Sequence, residues 1–218
     1  MKSGQIYVAE FLGSAFLLSV IVGSGVMGQR LAGGNEALTL LVNSTATGAG
    51  LVALILAFGP VSGAHFNPLV SVLMARRGEL PWKSVPAYTL AQVLGAVAGV
   101  FATHAMFGLP LLEAATKPRP GFALMWSEFV ATLGLLLVIH RVSRSRPEAV
   151  AYAVGCYIAA AYWFTSSTSF ANPAVTLARS LTDTFTGIRP ADVAGFLAAQ
   201  LMATLFIVIC VHAPVRKQ

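Results

Sequence analysis

Charged residues are scarce in this sequence. They make up 10% of its 218 residues, whereas hydrophobic residues make up 56% and the mean hydropathy is +0.76. A soluble domain of this length does not need so much apolar sequence, so the composition predicts a polytopic helical membrane protein. The formal net charge is +6. Its Lys and Arg residues cluster between apolar runs, which is typical of topology signals and argues against a nucleic-acid partner.

Cysteine is nearly absent as well. Cys156 and Cys210 both lie inside apolar runs, so we expect buried free thiols and neither a disulfide nor a metal site. The sequence has no nucleotide-binding motif, and we expect no cofactor and no enzymatic activity.

Six apolar runs approach the roughly twenty residues that a membrane-spanning helix requires. They cover about 6–27, 37–58, 85–107, 122–142, 149–164 and 192–211. A Pro-rich loop at 108–120 divides the chain into halves. The sequence therefore predicts an all-α membrane protein with a single domain over 1–218, made of a first half-repeat (1–110) and a second (121–218).

Two shorter apolar runs lie after the second and fifth spans, and each begins with Asn-Pro. Asn67-Pro68 and Asn172-Pro173 have the residues that favour a helix start, because Asn is a good N-cap and Pro fits the first helical position. Neither run is long enough to cross a bilayer. We therefore predict two re-entrant half-helices.

The two halves repeat each other in order. Glu10 in the first span matches Glu128 in the fourth, and Gln92 in the third matches Gln200 in the sixth. Each half has an odd number of spans, so the second half enters the membrane inverted, as in many transport proteins. The half-helices then enter from opposite faces and meet near the midplane. Their positive N-terminal ends favour neutral, hydrogen-bonding solutes over cations.

Basic residues predict the orientation. With the N-terminus inside, the cytoplasmic segments carry most of them, which favours two cytoplasmic termini. These residues are Lys2, Arg76, Arg77, Lys83, Arg141, Arg144, Arg146, Arg216 and Lys217, against Arg30, Lys117, Arg119, Arg179 and Arg189 outside.

These motifs resemble those of the aquaporins, the major intrinsic protein family, over essentially the whole chain. The first motif departs from Asn-Pro-Ala, since Leu69 stands where the second has Ala174. The resemblance implies a homotetramer in the cell membrane, with one pore per subunit and lipid around it. It also implies that Glu10, Glu128, Gln92 and Gln200 brace the re-entrant loops.

An ungapped match to the family places an outer selectivity filter at Thr47, Ala160, Ser169 and Val175. The family usually has Arg at the last of these positions. Because this set has no aromatic residue, His or Arg, we predict a wide, uncharged filter.

Arg179 lies one helical turn after Val175 and has two possible roles. It either replaces the missing charge in the vestibule or braces the loop through carbonyls or Asp183.

His65 is expected to line the cytoplasmic vestibule, as a static hydrogen-bonding residue or as a pH gate.

The wide filter and Val175 also resemble those of the bacterial aquaporins associated with arsenic resistance. That resemblance implies passive conduction of metalloid hydroxides such as arsenite, along with glycerol-type solutes and water. The alternatives are a water or glycerol facilitator without an arsenic role, a secondary transporter with broken helices, and a structural protein of membrane junctions whose pore is occluded.

Overall fold

The computed structural model describes residues 3–211, and these form eight α-helices. The helices are α1 (Ser3–Leu31), α2 (Glu36–Ser62), α3 (Pro68–Arg76), α4 (Val85–Phe107), α5 (Phe122–Ser145), α6 (Val150–Phe164), α7 (Pro173–Arg179) and α8 (Pro190–Cys210). The predicted charges at Lys2, Arg216 and Lys217 lie outside the described residues.

Five of these helices are long and apolar enough to cross a membrane: α1, α2, α4 with the 3-10 turn before it, α5 and α8. The remaining predicted span, the fifth along the chain, corresponds to α6, which has only 15 residues and follows a 3-10 turn at Pro147–Ala149. At 1.5 Å per residue it extends about 22 Å, less than the roughly 30 Å hydrocarbon core. It is therefore shorter than a typical span.

The two predicted half-helices are present, and both begin as the sequence indicates. Asn67 and Asn172 have extended backbone conformations, and each side-chain oxygen accepts a hydrogen bond from the first turn of α3 or α7. Pro68 and Pro173 occupy the first helical position, where a missing N–H removes no helical hydrogen bond.

The helices pack as two similar halves. In the first, α1 packs against α2 and α4; in the second, α5 packs against α6 and α8; and α2 contacts α6 across the halves. This last contact depends on two glycines. A Cβ on Gly48 would lie 2.8 Å from the Gly155 carbonyl oxygen, and a Cβ on Gly155 would lie 2.5 Å from that of Gly48. Larger residues there would separate α2 from α6.

The prediction of buried cysteines was wrong. Cys156 and Cys210 are free and exposed on the outer faces of α6 and α8. An apolar run predicts burial inside the protein only for a soluble chain. In a membrane protein the outward helix faces are apolar too, because lipid covers them.

Candidate functional site

The two half-helices meet head to head through a reciprocal pair of hydrogen bonds. Asn67 Nδ2 donates to the Ala171 carbonyl over 2.8 Å, and Asn172 Nδ2 donates to the Phe66 carbonyl over 2.8 Å. Each amide still has a second N–H, and both residues lie on a cavity wall. Leu69 leaves this arrangement intact, since its own N–H donates to Asn67 Oδ1 over 2.9 Å.

The loops before the two asparagines have an unusual backbone. Ala64 and Phe66 in the first loop, and Ser169 and Ala171 in the second, have φ of 49–50°, in the left-handed region. This conformation costs each non-glycine residue about 1–2 kcal/mol of free energy. Such a backbone persists only where surrounding contacts hold it.

Two buried carboxylates supply those contacts, one in each half. Glu10 accepts hydrogen bonds from the backbone N–H groups of His65 (3.0 Å) and Phe66 (2.8 Å). Glu128 accepts them from Phe170 (2.8 Å) and Ala171 (2.9 Å). Both carboxylates are fully buried, so they anchor the loops and do not face solute.

The two glutamines complete the same arrangement. Gln92 Nε2 donates to Glu10 over 2.7 Å, and Gln200 Nε2 donates to Glu128 over 2.7 Å. Each amide also donates to a hydroxyl of the adjacent half-helix, Ser71 in α3 or Thr176 in α7. The four residues predicted to brace the loops are thus in direct contact with them or with the half-helices.

A cavity of about 610 Å³ passes between the halves. At one end it is lined by Glu79, Leu80 and Glu148, and at the other by Thr47 and Arg179. Apolar side chains form most of the wall between these ends. Asn67 and Asn172 contribute polar groups between the two loops, so a solute that loses water inside the cavity finds hydrogen-bond donors there.

Three of the four predicted filter residues lie on the cavity wall, and one does not. Thr47, Ser169 and Val175 line the cavity and are buried. Ala160 is exposed on the opposite side of α6 and is not on the wall, so this prediction was wrong. Tyr162 occupies that place. Its side chain is 3% exposed, and its hydroxyl lies 3.3 Å from Thr47 Oγ1.

The error came from the ungapped match to the family, which counts residues along the loop that separates α6 from Asn172. The residues of α6 that line the cavity lie on one face and, from Ala151 onwards, recur three or four apart; they are Val150, Ala151, Val154, Ile158 and Tyr162. Ala160 lies two residues from Tyr162, which rotates it by about 200° around the helix. Because α6 is apolar on all sides, its period of three or four residues identifies Tyr162 only once the structure shows which face lines the cavity. Tyr162 therefore adds an aromatic side chain beside Thr47 at this end of the cavity, contrary to the prediction.

Arg179 lies at the same end of the cavity and is 1% exposed. Its guanidinium carbon is 3.4 Å from the centroid of the Phe170 ring, and its Nε donates to the Thr186 carbonyl. Its Nη1 has no hydrogen-bond partner within 3–211. The side chain thus bonds a loop carbonyl and also borders the cavity, which is compatible with both predicted roles. Asp183 is not its partner and instead accepts from Thr116.

His65 lies on the cavity wall towards the opposite end. Its Nδ1 is 3.0 Å from Ser71 Oγ, and its ring centroid is 5.1 Å from that of Tyr88. These contacts fix the ring against the wall, as expected of a static hydrogen-bonding residue.

Comparison with known proteins agrees with this architecture. The sequence model of the major intrinsic protein family matches residues 1–148. The aquaglyceroporin AqpS of Rhizobium meliloti is 52% identical over 198 residues, which cover 91% of this chain and 84% of the relative. Aquaporin NIP6-1 of Arabidopsis thaliana is 31% identical over 154 residues, covering 69% of this chain and 50% of the plant protein.

The solved structure of the aquaglyceroporin from Plasmodium falciparum has the same fold. It superposes with a TM-score of 0.74 at 21% sequence identity, and the match covers 94% of this chain and 93% of the other. The fold, the paired half-helices and the sequence match lead to one assignment: this chain is a multi-pass membrane protein of the major intrinsic protein family, whose members are channels and not enzymes.

Proposed function

We propose that the chain is a passive channel for small neutral solutes, conducting metalloid hydroxides such as arsenite along with glycerol-type solutes and water. The observation that carries this proposal is the cavity between the half-helices, with Asn67 and Asn172 on its wall and an uncharged set of side chains near one end. We propose that this set, Thr47, Tyr162, Ser169 and Val175, is the selectivity filter.

The chemistry of the proposed filter suits a polyhydroxylated solute. Thr47, Tyr162 and Ser169 carry hydroxyls that can donate and accept hydrogen bonds. The Ser169 hydroxyl is buried and has no hydrogen-bond partner within the described residues, so a solute that reaches it would satisfy it. Val175 contributes only an aliphatic surface. Arsenous acid is uncharged at neutral pH and, like glycerol, presents three hydroxyls, so both solutes can exchange water for these groups.

Cations are excluded by charge. Two unit charges about 4 Å apart repel by about 4 kcal/mol at the effective dielectric constant of a protein surface. That energy corresponds to roughly a thousandfold difference in occupancy. Arg179 borders the cavity near the proposed filter, so we propose that its guanidinium supplies this barrier in place of the arginine that Val175 replaces.

The assembly and orientation are also proposals. We propose a homotetramer with both termini in the cytoplasm, in a bacterial inner membrane. The Arg179 end of the cavity then faces outwards and the His65 end faces inwards. The name of the Rhizobium relative, an aquaglyceroporin, supports glycerol as one solute.

A panel of solute fluxes in proteoliposomes tests the proposed substrates. We expect glycerol and arsenite to enter faster than they enter protein-free vesicles, because both fit the hydroxyl-lined filter. Glycerol flux without arsenite flux would show that the protein is a glycerol facilitator with no arsenic role. Water flux alone would overturn the proposed filter.

A further inference from the structure

A second cavity, of about 410 Å³, adjoins the first at Arg179, which lines both. Lys117 and Arg119 also lie on its wall, and Glu36 is the one carboxylate among the described residues that line it. We call this cavity, with Lys117, Arg119 and Arg179, the basic vestibule. Three cationic groups therefore line one cavity, which shares Arg179 with the cavity of the proposed filter.

The charges of the basic vestibule are not balanced by ion pairs. No salt bridge within residues 3–211 includes Lys117, Arg119 or Arg179. Two nearby carboxylates do not pair with these side chains: Asp192 pairs with Arg189 over 2.9 Å and accepts the backbone N–H of Arg119 over 2.7 Å, and Glu128 holds the loop N–H groups. Buried charges without a partner are costly.

Backbone carbonyls and an aromatic ring stabilise the charges of Arg119 and Arg179 only in part. Arg119 is 7% exposed and donates to the carbonyls of Gly187 (2.9 Å) and Ser167 (3.0 Å). Its guanidinium carbon is 4.9 Å from the Phe170 centroid, so both arginines contact one ring. Cation–π contacts are worth a few kcal/mol at most. The unpartnered Nη1 of Arg179 still lacks an acceptor among the described residues.

Lys117 lies partly buried in this cavity with the two arginines. Its pKa is lowered to about 8, chiefly by burial and further by the charges of Arg119 and Arg179, while Glu36 acts in the opposite direction. Its Nζ donates to the Phe185 carbonyl over 3.0 Å. The ammonium is therefore protonated at pH 7 and largely neutral at pH 9. An anion in the vestibule would favour the protonated form.

We propose that the basic vestibule binds a small tetrahedral oxyanion, which interacts with Arg179, Arg119 and protonated Lys117. Guanidinium groups match the oxygens of such anions well. Because Arg179 lines both cavities, we expect an oxyanion bound to it to slow the entry of solutes into the first cavity. This inference rests on the proposed channel function, and it adds a ligand that regulates the flux of neutral solutes.

Sulfate is a suitable probe because its charge does not change between pH 7 and pH 9. We expect external sulfate, but not gluconate at equal ionic strength, to reduce glycerol flux at pH 7. Lys117→Gln, or a shift to pH 9, should weaken this inhibition by about tenfold, as expected for loss of one charge-assisted contact. Arg189→Gln is the control, since Arg189 is paired with Asp192, and it should leave the inhibition unchanged.

Calorimetry on the detergent-solubilised protein measures sulfate binding without any flux. Binding that weakens in Lys117→Gln and Arg179→Gln supports the site even if the channel proposal fails. Normal glycerol flux with no sulfate binding or inhibition would overturn the oxyanion site and leave a vestibule that only repels cations. Equal inhibition in wild type and Lys117→Gln, at both pH values, would also overturn it.

Discussion

Val175→Arg is expected to reduce glycerol flux by at least about tenfold while water flux falls much less. Val175 is 3% exposed and lies on the cavity wall with Thr47, Tyr162 and Ser169. An arginine there adds a long side chain and a charge at the proposed filter. A further barrier of only about 1.4 kcal/mol is enough for a tenfold loss.

Stopped-flow light scattering of proteoliposomes measures both fluxes in one preparation, and retained water flux shows that the variant has folded. Val175→Met is the matched control, because methionine adds length without charge. If Val175→Met loses less glycerol flux than Val175→Arg does, the charge of the arginine contributes to the loss beyond its length. Glycerol flux in Val175→Arg equal to that of the wild type would show that Val175 is not in the filter.

Glu128→Ala is expected to abolish solute flux and to lower thermal stability. The substitution leaves the N–H groups of Phe170 and Ala171 without their acceptor. Each buried, unsatisfied N–H costs about 1–3 kcal/mol, and the left-handed Ser169 and Ala171 lose their restraint. The total approaches the whole stability of a typical domain, about 5–15 kcal/mol.

The flux assay and a thermal unfolding curve of the solubilised protein check this result together. Glu113→Ala is the control, because Glu113 is exposed in the loop between α4 and α5. Wild-type flux and stability in Glu128→Ala would show that the carboxylate does not hold the second loop.

The sequence predicted the fold because its determinants are local. Asn67-Pro68 and Asn172-Pro173 combine an N-cap with a first-turn proline, and each pair begins a half-helix in the structure. Glu10 and Glu128 were recognisable as ionisable groups inside apolar spans, where such residues are rarely without a role.

The details of the filter could not be predicted in the same way. Tyr162 faces the cavity because of where α6 begins and how it is rotated against α2, which no local motif specifies. Arg119 was assigned only to a loop, yet it is buried, and its partner Ser167 lies 48 residues away along the chain. Long-range contacts of this kind depend on the packing of the two halves.

The concentration dependence of glycerol flux tests the central claim most directly. Proteoliposomes containing the wild-type protein are exposed to increasing glycerol gradients, and the initial rate is followed by light scattering. A passive channel predicts a rate that rises in proportion to the gradient, without saturation and without a coupled ion. A rate that saturates would indicate a carrier, and a rate equal to that of protein-free vesicles would indicate an occluded pore; either result would contradict the account.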